Sequence, residues 1–137
     1  MFNNDADQDI LVKNPSGSGI TTYLINWLLQ NAGTNDIILS VYKNTSYTEG
    51  SGSVSSISPH NKNISISDES PFSVIDITNA ETITLGTLMG TIIIPAGQFV
   101  KLEFSSFGIF KIPENNTIHA KITASDDYNL VVDFIVQ

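Results

Sequence analysis

Apolar and polar residues alternate with period two through the last third of the chain, as they do in strands with one buried face. "TIHAKITA" turns Ile118, Ala120, Ile122 and Ala124 inward and leaves His119, Lys121 and Thr123 outward. "LVVDFIV" puts Leu130, Val132, Phe134 and Val136 on one face, and "FVKLEF" does the same with Val100, Leu102 and Phe104. Turn chemistry precedes each run: "IPAGQ" at 94–98, "KIPENN" at 111–116 and "SDDYN" at 125–129. A proline turn followed by alternation occurs from Pro95 and again from Pro113, too short a unit to be an internal repeat.

The stretch "GITTYLINWLLQNAG" (19–33) fits two periods. Ile20, Tyr23, Leu24, Trp27 and Leu28 fall at helical spacing, whereas Tyr23, Ile25, Trp27 and Leu29 form one face of a strand. Its opening is β-branched and aromatic, Asn26 interrupts it, and Glu, Lys, Ala and Arg are absent from 20–31. These features predict a strand. It ends in "NAGTND", a turn, and "IILSVYK" (37–43) is plainly extended. Trp27, set among Ile25, Leu28 and Leu29, reads as a core anchor rather than a sugar platform.

Residues 1–9 read as a flexible N-terminal arm, followed by a short strand at Ile10–Val12 and a loop in "NPSGSG" (14–19). Residues 44–63 read as one long Ser/Gly-rich loop. "ISIS" (64–67) and "FSVIDI" (72–77) alternate as strands, and the glycines of "ETITLGTLMGTIII" (81–94) suggest a bulge or a tight bend. The pattern predicts an all-β single domain over 10–137, an antiparallel two-sheet β-sandwich of about eight strands. Jelly-roll and immunoglobulin-like connections both remain open.

Composition narrows the function more than the fold. With 137 residues and 41% hydrophobic content, one domain can bury a core; mean hydropathy is +0.08. Cysteine is absent, which removes disulfides, thiolate metal sites and cysteine nucleophiles. The net charge is −8 and all six basic residues are lysines. An acidic chain without arginine is poorly suited to neutralising phosphates, so neither nucleic acid nor an anionic membrane is an expected partner. The acidic opening "MFNNDADQDI" has no basic region followed by an apolar run, so it does not read as a secretory leader.

Candidate chemistry is sparse. His60 lies in the Ser-rich loop and His119 alternates outward, so both read as surface histidines, with no nucleophile-elbow frame to support a Ser-His-Asp triad. Asp5, Asp7 and Asp9 have the spacing that opens a calcium loop, but Ile10 replaces the glycine and Ser16 the closing glutamate. Asp126 and Asp127 read as turn formers. Glu49, Glu69, Glu81, Glu103 and Glu114 are scattered, without the facing pair that glycoside hydrolysis needs. No catalytic residue, cofactor or metal ligand is expected. Candidate contact residues are Tyr42 and Tyr47 beside the long loop, and Phe107, Ile109 and Phe110 in "FSSFGIF", whose apolar surplus points to an oligomer.

The segments "VKNPSGSGITTYLINWLLQNAGTNDIILSVYKN", "TLMGTIIIPAGQFVKLEF" and "FKIPENNTIHAKITASDDYNLVVDFIVQ" together resemble small β-sandwich accessory proteins in the virions of tailed bacteriophages. The resemblance spans residues 12–137 and leaves out the acidic arm and the Ser-rich stretch at 44–63. It implies a non-enzymatic virion protein, foremost a capsid decoration or cement protein that binds the major capsid protein as a homo-oligomer, with a trimer favoured. A head or tail accessory is the alternative within that class. A carbohydrate-binding or adhesin module, gripping a glycan through Tyr42, Tyr47 and the loop Asp126–Tyr128, is the alternative outside it.

Overall fold

The computed structural model describes residues 2–4, 6–19, 22–57, 73–103, 110–125 and 127–136. Thirteen strands run through them: β1 (Phe2–Asn4), β2 (Gln8–Asn14), β3 (Thr22–Asn31), β4 (Ile37–Lys43), β5 (Ser46–Thr48), β6 (Ser53–Ile57), β7 (Ser73–Asn79), β8 (Thr82–Thr84), β9 (Thr87–Ile94), β10 (Phe99–Glu103), β11 (Phe110–Ile112), β12 (Asn116–Thr123) and β13 (Tyr128–Val136). The described residues contain no helix, and so none that is long and apolar enough to cross a membrane.

One sheet has the order β1-β13-β3-β10, with β11 continuing beside β10 along β3. The second has the order β6-β7-β2-β12-β4-β9, and β5 pairs with β8 as a separate ribbon. Every pairing is antiparallel. The pairs are nested: β1 with β13, β2 with β12, β3 with β10 and β11, β4 with β9. The chain is therefore one long hairpin whose legs cross from sheet to sheet at each step, which is the winding of a jelly roll. It settles the connection that alternation left open, against the immunoglobulin-like arrangement. Eight strands make the roll; β5, β6, β7 and β8 are inserted between β4 and β9, and β11 is a second piece of the β10 edge.

The two sheets share one core. Trp27, Leu29, Ile112 and Tyr128 come from the first, and Ile10, Val12, Leu39, Val74, Ile94, Ile118, Ala120 and Ile122 are among those from the second. Trp27 is 1% exposed while its neighbour Leu28 reaches 37%, the alternation of a strand. With β10 bonded to one side of β3 and β13 to the other, the helical reading of 19–33 is excluded. Gly90 serves a bulge: Val41 faces Gly90 and Tyr42 faces Leu88, leaving Met89 as the extra residue.

Two stretches depart from the sequence reading. The arm expected at 1–9 contributes β1, paired to β13, and the start of β2, where Gln8 and Asp9 are buried. Polar groups find donors there: Asp7 Oδ1 accepts the Ala124 N–H at 2.9 Å, and the Tyr128 hydroxyl bonds Ala6 O and Gln8 Oε1. The loop expected at 44–63 contains β5 and β6. The strand expected at 64–67 lies outside the described residues.

Candidate functional site

The second sheet is buried on both faces around β12. His119 sits between the core residues Ile118 and Ala120 and points away from them, opposite Leu11 on β2 and Tyr42 on β4. It was expected at the surface, yet it is 0% exposed. Leu11 and Ile77, also turned from the shared core, are buried with it. The cover comes from the insertion: Thr117 Oγ1 donates to Thr45 O at 2.9 Å and the Gly86 N–H to Thr45 Oγ1 at 3.2 Å, which holds the Ser46–Thr84 end of the β5–β8 ribbon on the sheet. Gly86 allows this approach, because a Cβ there would lie 1.9 Å from Lys43 O.

Under that cover runs a chain of polar groups. Thr45 Oγ1 is 3.1 Å from His119 Nδ1, and His119 Nε2 is 2.7 Å from Asp9 Oδ1. Lys121 Nζ approaches the same oxygen at 3.5 Å, and the Tyr42 ring stacks on the imidazole with centroids 5.6 Å apart. One proton assignment satisfies every member: Nε2–H donates to the carboxylate, and Nδ1 accepts the Thr45 hydroxyl. Burial alone would raise the Asp9 carboxyl, but the His119 hydrogen bond and the Lys121 charge outweigh it and hold the carboxyl below its ordinary value.

Carboxylate, imidazole and hydroxyl in this order can activate a nucleophile. Here Thr45 is 2% exposed and its oxygen also receives the Gly86 N–H, so the chain ties the entry of the ribbon to the sheet. Sequence reasoning missed it because alternation told which face His119 occupies but not that the face is covered.

Beside Thr45 opens a cleft of about 520 Å³, lined by Leu11, Lys13, Asn44, Thr45, Ser46, Tyr47, Asn115, Asn116 and Thr117. Of the expected contact residues, Tyr47 lines this cleft and Tyr42 packs on His119. Phe110 is placed opposite Leu24 in β11, whereas Phe107, Ile109, His60 and Asp126 lie outside the described residues. Tyr128 is buried in the core at 0% exposure, so it does not grip a glycan from a loop. Asp7 and Asp9 bond to different partners rather than to a common centre.

The glycine loop at 17–19 is also accounted for. Gly17 and Gly19 both have positive φ, near 74° and 71°, and their N–H groups donate to the two Glu114 carboxylate oxygens at 3.1 and 2.7 Å. The chain fills its own anion nest.

An apolar flank lies along β9, the edge of the second sheet. Leu88, Met89 and Ile93 are 52%, 42% and 60% exposed, and Ile38, opposite Ile93, and Leu85 join them. A turn at 95–98, closed by Gln98 N–H to Pro95 O, leads to β10, where Phe99 is exposed as well.

The chain matches no family model, no curated protein and no solved structure.

Proposed function

We propose that the protein is a non-enzymatic structural subunit that packs against further copies of itself along β9, in the setting of a bacteriophage virion. One observation carries this reading: β9 is a long edge strand whose outer side no described strand pairs and which exposes the apolar side chains of Leu88, Met89 and Ile93. Edges of this kind attract another chain unless charge, proline or cover blunts them. No charged residue lies between Glu81 and Lys101, so this flank lets copies of a −8 chain approach without direct repulsion. The sequence resemblance supports the virion setting and a trimer bound to the capsid lattice as a decoration protein.

Light scattering tests the assembly step. The wild-type protein should run as a homo-oligomer, and Ile93→Lys combined with Met89→Lys should run as a folded monomer. A wild-type protein that is monodisperse and monomeric at about 100 times a micromolar dissociation constant overturns the reading. Electron microscopy of purified particles tests the setting: density for the jelly roll on the capsid supports decoration, and its absence from every part of the particle removes it.

A further inference from the structure

The cleft beside Thr45 differs in composition from the rest of the chain. The protein has 14 carboxylates against six lysines, yet the nine residues lining the cleft include Lys13 and no carboxylate. Among the described residues no carboxylate is within ion-pair distance of Lys13. Tyr47 supplies an aromatic ring, and Asn44, Ser46, Asn116 and Thr117 amides and hydroxyls. A volume of about 520 Å³ is within the range of small-ligand sites.

The walls are fixed by the backbone. Asn44 N–H donates to Thr117 O at 2.9 Å and Asn115 N–H to Asn14 O at 2.8 Å. Asn44 and Asn115 both take φ of 60°, a left-handed conformation that asparagine adopts more readily than most residues. Such a preformed wall lowers the ordering cost of binding.

We infer that this cleft binds a sugar unit bearing a carboxylate, of the uronic or sialic acid class. The Lys13 ammonium pairs with the carboxylate. The Tyr47 ring covers an apolar C–H face of the sugar. The amides and hydroxyls bond its hydroxyl groups. A phosphate is a poorer match, because one lysine without arginine or a helix N-terminus provides no multidentate clamp. The cleft shares no residue with the β9 flank, so its ligand and the self-association are tested separately.

The test follows amide shifts of the full chain by NMR during titration with sialyllactose and with a glucuronate disaccharide, each against its neutral counterpart. At least one acidic sugar should shift Lys13, Asn44, Tyr47 and Asn116, with the neutral sugar about tenfold weaker. The two arms distinguish sialic from uronic acid. Lys13→Gln should erase the preference for the acidic sugar, and Tyr47→Ala should abolish binding of both, with thermal melts matching wild type to show that each variant is folded. Absence of shifts with either acid at roughly ten times a millimolar dissociation constant overturns the inference. Equal binding of the neutral sugar, or binding unchanged by Lys13→Gln, does the same.

Discussion

The Asp9 carboxylate lies 2.7 Å from His119 Nε2 and 3.5 Å from Lys121 Nζ, and both neighbours favour its charged form over the cost of burial. The folded protein therefore holds this proton less tightly than the unfolded chain, in which an aspartate titrates near ~3.9. The resulting stability is complete above that value and fades as pH falls through the lower folded value. Asp9→Asn should lower the melting temperature at neutral pH and flatten its decline between about pH 5 and about pH 3. Thermal melts across that range check it, and a decline parallel to wild type would contradict the assignment. Trp27→Ala removes the largest fully buried side chain and should cost about 3–5 kcal/mol in a denaturant titration. Single residues were unevenly legible. Trp27 announced itself through its apolar neighbours, whereas His119 and Asp9 have polar names and their burial depends on a cover contributed from another part of the chain.

At the scale of elements, the β5–β8 ribbon is the least conspicuous in sequence and the most consequential for the outer face. Serine and glycine have low strand propensity, so 44–63 read as loop. β5 and β6 form because Tyr47 and Ser55 find partners in β8 and β7, not because their residues prefer extension. The acidic start misled for a related reason: Asp7 and Asp9 look solvated until their donors, Ala124 and His119, are brought alongside. The glycine bulge in β9 was legible, since a glycine inside an alternating run marks such a break. Gly86→Ala should lift the ribbon. Its Cβ would collide with Lys43 O, which is backbone and cannot move aside. The expected loss is on the order of 2 kcal/mol, with faster hydrogen exchange at the Gly86 amide. Exchange unchanged from wild type would show that the contact does not hold the ribbon down.

For the whole molecule, period-two alternation identified the layers and the single core but not the order of strands. Alternation says which face a residue occupies, and nothing about which strand lies beside it. The observed order makes pairings distant in sequence: β2 meets β12 with Ile10 opposite Ala120, and β1 meets β13 with Phe2 opposite Leu130. Topologies of this kind fold slowly because chain entropy is lost before distant contacts repay it. Stopped-flow refolding of monomeric protein should therefore be slow, in milliseconds to seconds. A microsecond phase carrying the full amplitude would contradict it.

The closure of β1 on β13 also has a consequence for biosynthesis. A ribosome delivers β3 long before β13, so the strand bearing Trp27 waits without its main neighbour until β13 has been made. Folding of the roll is thus confined to the period after β13 has emerged, and until then the nascent polypeptide leaves β3 open to chaperones.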